Sequence, residues 1–119
     1  MLPRDQHRLE HILDYCTDVE ELLSSCNHSA DAYMTNKSLQ YSLAFCILQI
    51  GELTGSLSPE LRLATKKEMD WAGIKGMRNI VVHNYGSVKQ EYLWETATKD
   101  IPVLKAFCRK MLSDEPAVS

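Results

Sequence analysis

The densest run of function-capable side chains is KGMRNIVVHNYG, residues 75–86, where a lysine, an arginine, a histidine, two amides and a phenol follow closely on one another. An arginine fork grips a phosphate at two points and stabilises the extra charge of a five-coordinate phosphorane, while a histidine titrating near neutrality carries a proton. Arg78 and His83 therefore supply the two functions that RNA cleavage needs. The RNA's own 2′-OH attacks the adjacent phosphate, a base takes its proton, and an acid protonates the leaving 5′-oxygen. One chain supplies one such histidine. Two copies of this segment meeting about a two-fold axis would supply a base and an acid, with two arginines around one phosphate. The plainer alternative is an ordinary helix end, at which His83 and Lys75 favour the negative end of the dipole.

A second constellation, His7-Arg8-Leu9-Glu10-His11, matches the H-x-x-E-H string of some zinc peptidases and sets two imidazoles one helical turn apart. A catalytic zinc usually needs a third protein ligand and a cleft, and no partner carboxylate suggests itself. The expectation is a solvated helix face, with no metal and no cofactor. Glu52 has two readings: a solvated helix position, which is favoured, or a carboxylate that orients Arg78.

The elements that must position these groups read as helices throughout. Leu9, Ile12, Leu13, Cys16, Val19, Leu23 and Cys26 step by three and four and predict a long amphipathic helix over 5–26, ended by the polar run Ser24 to Ser29. A short helix is expected around Ala30 to Asn36, and a more buried one from Lys37 to about Leu57, with Ala44 and Gly51 small enough for close approach of a neighbour. Ser58-Pro59-Glu60 is a strong start for a short helix to about Lys67. Asp70 can cap the helix that carries Arg78 and His83, with Gly86 closing it at positive φ and loosening it near His83. The two residues are five apart, about 140° round an ideal helix, so some such loosening or a sweep of the arginine is needed to join them. A last helix follows to about Leu112, kinked or restarted by Pro102. No stretch alternates as a strand does.

The expected fold is thus all-α, an antiparallel bundle of four to five helices forming one domain over residues 1–112, with 113–119 a disordered tail. The chain has 119 residues, 24% of them charged and 45% hydrophobic, an ordinary globular composition. Its net charge of −3 disfavours broad coating of nucleic acid and calls for a local basic site, for which Lys75, Lys89 and the pair Lys66-Lys67 are candidates. Neither a membrane span nor a signal-peptide core is recognisable, so a cytoplasmic location is expected. Cys16, Cys26, Cys46 and Cys108 lack C-x-x-C spacing and read as reduced core fillers; Trp71, Trp94 and Met77 likewise read as packing.

Several blocks in order also resemble the HepT-like proteins of the HEPN superfamily. These blocks are Leu9–Leu13, Ile50-Gly51-Glu52, Leu57-Ser58-Pro59-Glu60-Leu61, Trp71–Tyr85, Trp94-Glu95-Thr96 and Asp100–Leu104. The family's signature of Arg, a polar residue, a spacer and His, then one residue and Tyr, is met by Arg78, Asn79, His83 and Tyr85. The resemblance implies a metal-independent endoribonuclease toxin, encoded beside a minimal (MNT) nucleotidyltransferase antitoxin and working as a homodimer on RNA. It also implies that Arg78 and His83 are catalytic with Asn79 in support, and that Tyr85 accepts AMP from the antitoxin. Lys75 and Lys89 would contact RNA phosphates. Members that bind nucleotides or partners without cutting RNA supply the rival expectation, a non-catalytic module of a nucleotidyltransferase complex.

Overall fold

The computed structural model describes residues 1–113, and the expected tail from residue 114 on lies outside the described residues. Among the described residues there is no strand. The helices are α1 (Pro3–Ser25), α2 (Ala30–Met34), α3 (Lys37–Gly55), α4 (Pro59–Ala64), α5 (Trp71–Asn84), α6 (Gln90–Glu95) and α7 (Ile101–Ser113). A 3₁₀ turn, Tyr85–Ser87, follows α5, and a π-helical turn, Thr96–Asp100, joins α6 to α7. The all-α expectation is met by four long helical runs and short connecting helices.

The caps explain most boundaries. Ser29, Asn36, Ser58 and Asp70 each accept a hydrogen bond from a backbone N–H of the first turn they precede, fixing the starts of α2, α3, α4 and α5. Asn27 and His28 take positive φ, 54° and 55°, and turn the chain out of α1 inside the expected polar run. Gly86 departs from expectation. No glycine has positive φ, and the chain leaves α5 instead through the right-handed 3₁₀ turn. The last helix restarts after Asp100 as expected, α7 beginning at Ile101 with Pro102 second in it, but the helical run is not interrupted. Ile101 N–H reaches back five residues to the Thr96 carbonyl, and this widened turn carries the helix past a proline that has no N–H to give.

The long helices pack antiparallel. Arg8 of α1 meets Ser56 just past α3, while Tyr15 meets Phe45 with ring centroids 6.4 Å apart. Lys105 of α7 donates to Glu20 of α1 at 2.6 Å. Leu9, Ile12, Cys16 and Val19 of α1, Leu43 and Ile50 of α3, Leu93 of α6, and Leu104 and Cys108 of α7 are buried between them. All four cysteines are free and buried. Burial pushes the Cys16 and Cys108 thiols up to about 12 and that of Cys46 to about 11, which keeps them neutral packing groups. No helix among the described residues is long and apolar enough to cross a membrane.

One buried polar contact ties the start of α1 to the start of α4. The Asp5 carboxylate, 1% exposed, accepts from Ser58 N–H at 2.8 Å and Ser58 Oγ at 2.6 Å. Ser58 Oγ in turn accepts from Leu61 N–H.

Two stability predictions follow from these contacts. Asp5→Ala orphans two buried donors and should cost about 1–3 kcal/mol, read as a lower urea midpoint; an unchanged midpoint would contradict the network. The thiols ionise near 9.0 when unfolded but only near 11 to 12 when folded, so the native state holds more protons between those values. Stability should therefore be complete below about pH 9 and fall as the pH rises toward 12, and Cys16→Ala with Cys108→Ala should flatten that fall.

Candidate active site

Arg78 reaches the surface at the seam where α5 crosses α3. Met77 and Val81 are buried beneath α5, which turns Arg78 and Asn79, both half-buried, toward the rim. The arginine's stem lies on Gly51 of α3. A Cβ placed at residue 51 would come within 2.2 Å of Arg78 Cβ and 2.5 Å of its Cγ, so only glycine lets the two helices close at this level.

The arginine's head is held as closely as its stem. Nε donates to Glu52 Oε1 at 2.7 Å, Nη2 donates to the same oxygen, and Nη1 donates to Asn79 Oδ1 at 2.9 Å. A guanidinium has five N–H donors. With these three committed, one N–H remains on each terminal nitrogen, a pair suited to a phosphate. Glu52 thus departs from its favoured reading as a merely solvated position. Its side chain is 50% exposed, yet it orients Arg78. The sequence offered the Gly51-Glu52 pair as a cue, but the register of α3 against α5 was needed to decide.

His83 is exposed and makes no hydrogen bond or ion pair among the described residues. The loosening expected near it falls one residue later, at Asn84, whose φ of −151° and ψ of 36° leave helical geometry, and not between Arg78 and His83. Arg78 and His83 are accordingly not brought into hydrogen-bonding contact within one chain. Asn79, by contrast, touches the arginine directly.

Tyr85 sits at the far end of the same seam. Its half-buried ring lies against Tyr41 of α3, centroids 6.0 Å apart, and its hydroxyl accepts from Gln90 Nε2 at 3.2 Å. The Gln90 carbonyl oxygen accepts from Tyr33 Oη at 2.6 Å. Burial, with the neighbouring Tyr85 adding to it, holds the Tyr33 hydroxyl protonated well above the ordinary phenol range. Tyr33, Tyr41 and Gln90 were not singled out from the sequence. They are far apart along the chain, and no periodicity marks a glutamine that bridges two phenols.

The remaining candidates separate along the chain. Lys75, exposed on α5, is one turn from Arg78, and Lys89 precedes α6, beyond Tyr85; neither is engaged in an ion pair among the described residues. His7 and His11 are both exposed on α1. Among the described residues no cluster of three or more His, Cys, Asp or Glu side chains could hold a metal ion.

Comparison with known proteins adds to this geometry. A family described as "Ribonuclease HepT-like" matches residues 12–111. A protein of Caldanaerobacter subterraneus subsp. tengcongensis named "Putative RNase" is 31% identical over 107 residues, covering 90% of this chain and 93% of that one. Two proteins of Methanocaldococcus jannaschii bearing the same name are each 26% identical over 106 residues, covering 89% of this chain and 85% and 89% of theirs. No solved structure is a significant match.

The seam makes opposite forecasts for two glycines. Gly51→Ala forces a Cβ into Arg78 and should destabilise by about 1–3 kcal/mol, whereas Gly76→Ala meets no atom within 4 Å and should stabilise α5 by up to about 1 kcal/mol. Urea unfolding of the two variants checks this, and equal shifts of the same sign would refute the close approach.

Proposed function

Since this chain belongs to the ribonuclease HepT-like family, we propose that it is a metal-independent endoribonuclease whose site is completed by a second copy of itself. The observation that carries this reading is Arg78, held by Glu52 and Asn79 with one N–H left on each terminal nitrogen, on the same helix as a solvent-facing His83.

In the proposed reaction Arg78 takes the non-bridging oxygens of the scissile phosphate. His83 of one copy removes the 2′-OH proton as that oxygen bonds to phosphorus. The bond to the 5′-oxygen breaks, and His83 of the other copy gives that oxygen a proton. The products are a 2′,3′-cyclic phosphate and a free 5′-OH, and the two histidines have exchanged protonation states. Asn79 keeps the guanidinium oriented, and Lys75 and Lys89 contact flanking phosphates. The need for a second copy is supported by the failure of Arg78 and His83 to meet within one chain. It is supported also by exposed Tyr41, Phe45 and Val82 on α3 and α5, 58%, 53% and 41% exposed, which offer apolar surface beside the seam.

The partner antitoxin of this reading is an MNT-type nucleotidyltransferase that transfers AMP from ATP to Tyr85 Oη. The phenol loses its proton, a new P–O bond forms, and pyrophosphate leaves. The adduct would add bulk and negative charge on the seam that also carries Arg78, hindering an incoming RNA phosphate.

Purified protein should cleave mixed cellular RNA in the presence of a chelator, and Arg78→Ala and His83→Ala should each reduce the rate by about 10²–10⁴-fold while remaining folded. Full-rate cleavage by folded His83→Ala would refute the assignment, and a folded, unmodified dimer that cuts nothing would favour a nucleotide- or partner-binding module. Co-expression with the nucleotidyltransferase should add the mass of one or more adenylyl groups, lost in Tyr85→Phe. Neutralisation without an adduct would replace transfer by simple complex formation.

A further inference from the structure

The surface grooves of this chain differ sharply in charge. The groove between α3, α5 and α7 is edged by Glu68, Asp70 and Asp100, and the one beside Tyr41 and Phe45 by Asp18 and Glu21. A third groove, of about 380 Å³, is lined by Arg62, Lys66 and Lys75 with no carboxylate at all. Its other walls include Leu63, which is 67% exposed, and Gly55 at the end of α3. In a chain of net charge −3 this is a local concentration of positive charge, and none of the three cations forms an ion pair among the described residues.

Arg62 adds a second observation, a guanidinium without a side-chain partner at the wall of this groove. Its Nε is buried and has no hydrogen-bond partner. Its guanidinium makes no side-chain hydrogen bond among the described residues, although a buried donor of this kind is nearly always satisfied. Arg62 as a whole is only half-buried, so an anion in the groove would meet its terminal nitrogens and not the enclosed Nε. Place matters as well as charge. Lys75 lines the groove and stands three residues before Arg78 on α5, so their Cβ atoms are about 5–6 Å apart. The line of cations therefore runs from the groove directly to the arginine of the candidate active site.

We propose that the Arg62/Lys66/Lys75 groove is a substrate subsite that seats a phosphate of the RNA strand flanking the scissile one. Leu63 gives an apolar contact to the adjoining nucleotide. This subsite rests on the ribonuclease reading above. It assigns a direction to the strand's path, from the end of α3 along α5 toward His83.

The test is the salt dependence of binding to a short single-stranded RNA, measured by fluorescence anisotropy with His83→Ala as the non-cleaving parent. Adding Arg62→Gln and Lys66→Gln should lower the slope of log affinity against log salt by about 0.7 per lost phosphate contact, roughly a fivefold loss of affinity per contact at 0.1 M salt. Lys67→Gln is the matched control, because Lys67 is exposed but does not line the groove. An unchanged slope in the Arg62/Lys66 variant, with the parent still binding RNA, overturns the subsite and leaves the ribonuclease reading standing. An equal fall with Lys67→Gln overturns it too, in favour of a diffuse field. If the parent binds no RNA and the unmodified wild type cuts none, both fall together. Urea midpoints within error of the parent establish that the variants are folded.

Discussion

The contact of Gly51 with the stem of Arg78 is the constraint from which the rest of the site follows. Because residue 51 has no Cβ, α3 and α5 close until the arginine's Cβ and Cγ lie where a methyl would be. That closeness sets the antiparallel register, and the register brings Glu52 onto the guanidinium and Tyr41 onto Tyr85. The α3 helix can serve as this template because α1 fixes it from the other side, through Tyr15 against Phe45 and Arg8 against Ser56. The buried Asp5–Ser58 contact then ties down the chain that leaves α3, and with it α4, which carries Arg62. The chain of cause runs from a missing side chain to a helix register, and from the register to an oriented charge.

Much of this architecture is legible in the sequence for plain physical reasons. The apolar residues recur at helical spacing in long runs, and Ser29, Asn36, Ser58 and Asp70 each precede the helix that they cap. Local signals fail where the decision is not local. Gly86 looks like a left-handed helix end, yet the half-buried Tyr85 beside it is held by Tyr41 and Gln90 while the chain continues into a right-handed turn. Pro102 marks the restart at Ile101, but the π turn, widened by one residue, that joins α7 to α6 is not announced by it. The site divides the same way. Arg78 and His83 stand out by type, and Asn79 and Tyr85 through the family resemblance, whereas Glu52, Arg62 and Gln90 are recognised only through neighbours elsewhere in the chain. Single-helix periodicity contains no information about which residue of α3 faces which residue of α5.

Charge is partitioned in a way that the net value conceals. A chain of −3 has no long-range attraction for a polyanion, so recognition of one depends on where its cations remain uncompensated. Lys99, Lys105 and Lys110 are paired with carboxylates, and Arg78 is matched by Glu52. Of the cations without an ion pair among the described residues, Arg62, Lys66 and Lys75 stand together in one groove. Pairing Arg78 also has a chemical consequence. A guanidinium anchored along one edge loses less freedom when a phosphate takes the other, so more of the interaction is available to the transition state.

The helix itself explains why one copy is insufficient for the proposed chemistry. Five residues of regular α-helix turn through about 140°, and α5 departs from helical dihedrals only at Asn84, past His83, so Arg78 turns toward α3 while His83 is exposed to solvent. Bending α5 to join them would pull Met77 and Val81 out of the core and break the contact at Gly51. In the proposed dimer, a two-fold axis beside the seam would achieve the same convergence without distorting either helix. It would also supply the second histidine that an acid and a base together require. In the proposed mechanism, the rigidity that holds Arg78 in place is thus what would leave the remaining task to a partner copy.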